Sequence, residues 1–165
     1  FQSCSKTYAM TGWRIGYTCG DSSVIQAMSK LQGQSTSCPN SIAQYAAAEA
    51  LTGDQSSVLE MKKAFHVRRN LIVNRLNNMD GVSCDTPGGA FYVFPNFKEI
   101  INRNVSGNKI KSALDLCMML LEEKLVVSVS GESFGADDNI RFSYATSEAI
   151  INDAMDRLET LLSEI

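Results

Sequence analysis

Between Val58 and Met79 the apolar residues Val58, Met61, Phe65, Ile72, Leu76 and Met79 recur at helical spacing, while Lys62, Arg69 and Asn70 take the opposite side. A stripe sustained over so many turns predicts one long helix. An element of that length does not fit inside a single small layer, so it is expected to bridge two structural regions. Upstream, "WRIGYTCG", residues 13–20, favours extended chain and ends at a glycine, which predicts a strand. Asp21 can cap a helix carrying Val24, Ala27, Met28 and Leu31 at turn intervals, with Gly33 closing it. After the loop "QSTSCPN", residues 34–40, the alanine-rich "SIAQYAAAEALTG" has the propensity of a second helix, ending at Gly53.

Downstream of Gly81 the pattern shortens. Residues 82–85 and 90–94 are expected as strands on either side of a turn at Pro87, Gly88 and Gly89, followed by a loop up to Gly107. Ile110, Ala113, Leu114, Cys117, Met118 and Leu121 then mark an amphipathic helix, and "LVVSVS" a short strand. In "NIRFSYA" the residues Ile140, Phe142 and Tyr144 share one face, leaving Arg141 and Ser143 on the other. Ser147 can cap a closing helix with the stripe Ile151, Ala154, Met155, Leu158, Leu162 and Ile165. The order β, β, α, β, β, α over residues 81–165 predicts a two-layer α/β unit.

Composition narrows the partners. A net charge of -3 gives no basis for a nucleic-acid or anionic-membrane partner, and no apolar run approaches the ~18 residues of a membrane span. The five cysteines are odd in number and scattered, with no C-x-x-C pair, which argues against a disulfide framework and a structural zinc site. They fit a reducing compartment, the cytoplasm. The one histidine, His66, falls on the polar flank of the long helix beside Lys62 and Arg69, so Ser-His-Asp and multi-histidine metal schemes have no footing. No metal is expected, and no G-x-G-x-x-G points to a dinucleotide.

The opening stretch, "FQSCSKTYAMTGWRIGY", carries Lys6 and Arg14 with no acidic residue before Asp21. Two protonated cations held close and dry would repel, so either the amine is neutral or an anion sits between them. A desolvated lysine, or one near another cation, attacks carbonyls as a free amine. Arginine keeps its charge and offers a fork for phosphate or carboxylate. Together they describe a site for an aldehyde that carries an anionic group, with hydroxyls from Ser3 and Ser5 in support. Two solvated cations near a strand end would give the same spacing. "SCSK" also fits the S-x-x-K pair of serine β-lactamases and penicillin-binding proteins, with Ser3 as nucleophile and Lys6 as base, but the accompanying K-T-G and S-D-N are absent.

"SCSKTYAMTGWRIG" closely resembles the pyridoxal phosphate attachment motif of the class I and II aminotransferases, with every constrained position filled. The resemblance implies that Lys6 is the catalytic residue and holds pyridoxal phosphate covalently, and that Arg14 and Ser3 bind the phosphate. "GGAFYVFPNF", residues 88–97, and "SGESFGADDNIRFSYATSE", residues 130–148, resemble small-domain segments of the bacterial aspartate aminotransferase branch. There the arginine of the "IRFSYA" strand binds the substrate α-carboxylate, a role that maps onto Arg141. Strand patterning alone favours Arg141 pairing with an Asp or Glu on a neighbouring element. Phe134 and Gly89 are candidates to border the substrate, and "QSTSCPNSIAQ" resembles a loop that approaches the partner subunit's cofactor in a homodimer.

The implied fold is α/β, the C-terminal part of a fold type I pyridoxal-phosphate-dependent transferase. Residues 1–55 would be the end of its large domain, residues 56–80 the bridging helix and residues 81–165 the small domain. The implied reaction moves an amino group between an amino acid, aspartate in the first place, and a 2-oxo acid such as 2-oxoglutarate. In the family the acid that pairs with the pyridine nitrogen precedes the lysine. The 165-residue chain is therefore expected to be a fragment, inactive as given, of a longer active parent. The alternative is a catalytically silent piece that keeps only folding and self-association.

Overall fold

In the computed structural model, which describes residues 1–105 and 108–163, contacts divide the chain into two units, Phe1–Lys62 and Lys63–Ile165. The first unit contains β1 (Gln2–Ser3), α1 (Cys4–Thr7), a 3-10 turn (Thr11–Trp13), β2 (Gly16–Tyr17), α2 (Ser22–Ser35) and α3 (Ser41–Thr52). The strand expected over residues 13–20 shrinks to Gly16–Tyr17, because Arg14 takes the left-handed conformation (φ 52°, ψ 47°) and interrupts the extended chain. Asp21 caps α2 as expected, accepting a hydrogen bond from the Ser23 N–H at 2.8 Å. Gly33 does not close that helix: an interior glycine costs only ~1 kcal/mol, and α2 runs on to Ser35, where the Thr36 N–H still reaches the Gln32 carbonyl. Val24, Met28 and Leu31 face outward rather than into a core.

Asn40 caps α3 through the Ala43 N–H at 3.1 Å. The face that α3 buries is made of alanines: Ala43 and Ala47, with Ala46 and Ala50 beside them, pack with Cys4, Tyr8, Met10 and Ile15. The larger Ile42 and Tyr45 point away from that cluster. Small side chains let α3 come close to the β1–α1–β2 corner and so hold it.

The long helix α4 (Ser56–Asn77) begins in the first unit and continues through the second. Asp54 accepts the Ser56 N–H at its start, and Met79 of the expected stripe is buried just beyond its end. Arg69, expected to face away, is half-buried and donates to the Pro87 carbonyl at 3.2 Å.

The second unit adds β3 (Tyr92–Val93), β4 (Asn104–Val105), β5 (Asn108–Lys109), α5 (Ala113–Lys124), β6 (Val129–Ser130), a 3-10 turn (Gly131–Phe134), β7 (Ile140–Ser143) and α6 (Glu148–Leu162). Its three-stranded sheet has the order β3-β7-β6, antiparallel throughout, with Tyr92 opposite Ser143 and Val129 opposite Arg141. Residues 82–85 form no strand. They make one bridge, Ser83 to Asn96, and the Asn77 side chain takes the place of a neighbouring strand by donating to the Cys84 carbonyl and accepting its N–H. The strands expected at 90–94 and in "LVVSVS" shorten to β3 and β6. Where a loop up to Gly107 was expected, β4 and β5 pair antiparallel. Ser106 and Gly107 of that loop, and Ile165 of the closing stripe, lie outside the described residues.

One apolar core joins Ile72, Val73 and Leu76 of α4 to Leu116 and Leu120 of α5, Ile140 and Phe142 of β7, and Ile151, Met155, Leu158 and Leu161 of α6. The α5 stripe differs from expectation. Leu114, Met118 and Leu121 are exposed, Leu116 and Leu120 are buried beside Ala113 and Cys117, and Ile110 is buried ahead of the helix. On β7 the expected alternation holds, with Ile140, Phe142 and Tyr144 inward, Arg141 half-exposed and Ser143 exposed.

Candidate functional site

In the first unit, Ser3 and Lys6 lie on a tight β1–α1 turn packed against the segment that carries Arg14. Ser3 caps α1: its Oγ accepts the Ser5 N–H at 3.1 Å, and its hydroxyl donates to the Ile15 carbonyl at 3.5 Å, a long bond that a stronger acceptor such as a phosphate oxygen could replace. The Cys4 N–H bonds the Ile15 carbonyl at 3.3 Å, and Ser3 faces Gly16 across the strand pair. A Cβ at Gly16 would sit 2.6 Å from the Gln2 carbonyl oxygen, so only glycine lets the strands approach this closely. Arg14 holds its left-handed backbone with a bond from Nη1 to the Thr11 carbonyl at 3.1 Å, and it lines an open cavity of about 670 Å³ with Ala9, Gly12, Trp13, Asn40, Ile42 and Ala43. Ser3, Lys6 and Arg14 are all exposed. The structure thus packs together the segments that carry the Ser3 hydroxyl, the Lys6 amine and the Arg14 guanidinium, with no acidic side chain before Asp21. That donor set suits a phosphorylated carbonyl compound: the amine can bond a carbonyl carbon, and the hydroxyl and guanidinium can bind phosphate oxygens.

The second unit presents Arg141 from the central strand of its sheet. The guanidinium lies over the Tyr92 ring at 4.5 Å and over the Phe134 ring at 4.7 Å from the centroids. Among the described residues no acidic side chain forms an ion pair with it, so the acid-paired alternative is not what the structure displays. Tyr92 carried no signal in the sequence, because its approach to Arg141 depends on the β3–β7 register. Gly89 lies between two tethers: Arg69 holds the Pro87 carbonyl, and the Tyr144 hydroxyl donates to the Ala90 carbonyl at 2.9 Å. Among the described residues no cluster of three His, Cys, Asp or Glu side chains could hold a metal ion. No described helix is long and apolar enough to cross a membrane.

Residues 1–158 match the family "Aminotransferase class I and II". An aspartate aminotransferase from Rhizobium meliloti is 46% identical over 155 residues, covering 93% of this chain and 38% of that protein. A probable aspartate/prephenate aminotransferase from Rhizobium leguminosarum bv. phaseoli is 48% identical over 156 residues, covering 94% and 39%. The crystal structure of the Rhizobium meliloti aspartate aminotransferase superposes with a TM-score of 0.94 at 43% identity, over 98% of this chain and 41% of that one. An aromatic aminotransferase from Pyrococcus horikoshii OT3 gives 0.87 at 37% identity, over 98% and 42%. The chain therefore spans about two fifths of the length of these relatives.

Proposed function

Since this chain belongs to the class I and II aminotransferases, we propose that it is the C-terminal portion of an enzyme that moves an amino group between an amino acid and a 2-oxo acid. Its α/β fold is that of the C-terminal part of a fold type I transferase. Residues 1–55 would close the large domain, residues 56–80 bridge, and residues 81–165 form the small domain. The cofactor is pyridoxal phosphate, which when bound supplies the electron sink for the substrate carbanion. Lys6 would hold it through the amine and would move the proton at the substrate α-carbon as a general base. Arg14 and the Ser3 hydroxyl bind the phosphate, and Arg141 binds the substrate α-carboxylate through its fork. Aspartate is the proposed amino donor and 2-oxoglutarate the acceptor, in a cytoplasmic homodimer. The similarity to aspartate and aspartate/prephenate aminotransferases supports the donor.

One observation supports this reading above the others: the segments that carry Ser3, Lys6 and Arg14 pack together at the β1–α1–β2 corner, which Gly16 allows to close. The test uses the longer enzyme that carries this chain, assayed with pyridoxal phosphate, aspartate and 2-oxoglutarate. Lys6→Ala is expected to lower turnover by at least ~10²–10⁴-fold with the circular dichroism unchanged. The 165-residue chain alone is expected to give no turnover. Undiminished activity of Lys6→Ala would remove Lys6 from the chemistry, and robust turnover by the chain alone would show that the fragment assignment is wrong.

A further inference from the structure

We propose that Tyr92 and Phe134 are positioning residues that set the Arg141 guanidinium as a ready-made carboxylate receptor; this rests on the role of Arg141 proposed above. Three other arginines of this unit use their N–H groups on the protein, and Arg68 meets a single ring, Phe65, at 5.6 Å. Arg75 bonds Asn152, Asp156 and Glu159, Arg69 bonds Asn70 and the Pro87 carbonyl, and Arg157 bonds Asp153 and the Lys124 carbonyl. Arg141 instead meets two ring faces among the described residues. Rings attract the cation through their π faces and accept no conventional hydrogen bond, so the N–H edge stays available to an incoming anion.

Both rings are themselves fixed. Tyr92 lies on β3 opposite Ser143, two residues along β7 from Arg141, so it reaches the guanidinium as a diagonal cross-strand neighbour. Its ring also contacts Phe91, with centroids 4.5 Å apart. Phe134 ends the 3-10 turn, and its ring stands edge-on to Phe94 at 5.9 Å and 90°. That turn admits no side chain at its first residue: a Cβ on Gly131 would lie 2.1 Å from the Ala136 carbonyl oxygen. Gly135 closes the turn at φ 73°. Phe134 is nonetheless 50% exposed, a poor use of an aromatic ring for stability alone. Two rings against the guanidinium limit its rotamers before ligand arrives and displace water where they touch it, which strengthens its attraction for a carboxylate.

The α-carboxylate is common to the amino acid and the 2-oxo acid, so loss of a ring should weaken both substrates alike and leave the chemical step in place. In the full-length enzyme with pyridoxal phosphate, Phe134→Leu and Tyr92→Leu are each expected to raise KM for both substrates about tenfold. The kcat should stay within about twofold, and Phe134→Tyr and Tyr92→Phe should restore wild-type KM. In an Arg141→Ala background Phe134→Leu should add nothing. Phe134 is exposed in a turn, so its variants remain informative even where Tyr92→Leu fails to fold. If Arg141→Ala raises KM but Phe134→Leu and Phe134→Tyr behave as wild type, the positioning role is overturned and the role of Arg141 stands. If Arg141→Ala leaves KM unchanged, both are overturned.

Discussion

A thiol reports its surroundings through its pKa. Burial pushes the Cys84 thiol up to about 11, against a smaller opposing effect of a backbone hydrogen bond, and burial also raises Cys117. Cys19 and Cys38 are exposed. Because the thiolate is the reactive form, alkylation of the folded protein at pH 8 should modify Cys19 and Cys38 first. As pH rises, labelling of Cys84 should keep accelerating towards pH 11, well past the reference thiol value of about 8.5; peptide mapping by mass spectrometry reads this directly. Rapid early labelling of Cys84 would contradict its packing. The motif singles out Lys6 and Arg14 as candidates, and the alternation Ile140, Phe142, Tyr144 tells which way Arg141 faces. Tyr92 could not be found so, since its place beside Arg141 is set by pairing between distant segments.

Helix starts were legible and helix faces less so. Asp21 and Ser147 cap as their residue types require, whereas α5 is apolar nearly all round and periodicity cannot choose Leu116 and Leu120 over Leu114, Met118 and Leu121. Gly33 misled because its breaking tendency is weaker than a helix already propagating through it. The caps on α2 and α4 have a pH signature. Hydrogen bonds from Ser23 hold the Asp21 carboxyl below its ordinary value, and those from Ser56 do the same for Asp54. Each carboxylate is thus favoured in the fold. The stabilisation is complete above the ordinary carboxylate pKa of about 4 and is lost as pH falls through the lower folded value. Urea midpoints measured across this acid range should fall less steeply for Asp21→Asn and Asp54→Asn than for the wild-type sequence. Parallel curves would show that these caps add nothing.

At the scale of the whole chain, the second unit owns a continuous core from Ile72 to Leu161, tied across α4 and α6 by Arg75 with Asp156 and Glu159. The first unit has a smaller cluster built from Cys4, Met10, Ile15, Ala43 and Ala47. Residues 56–165, which keep α4 entire, are therefore expected to fold alone and unfold cooperatively in denaturant, with coincident fluorescence and circular-dichroism transitions. Residues 1–55 alone should be far less protected from proteolysis. A non-cooperative transition for 56–165 would show that its core needs more of the chain. The length of α4 is legible in its stripe, but not how little sheet the second unit needs, because Asn77 stands in for a missing strand at Cys84.

The place of β7 in the sheet has a mechanical consequence. With β3 along one side and β6 meeting Ile140 and Arg141 on the other, the strand beneath Arg141 is held like a plank nailed on both sides at that point. Loosening its footing means unzipping a neighbour, so the guanidinium's aim should survive warming until the sheet itself comes apart.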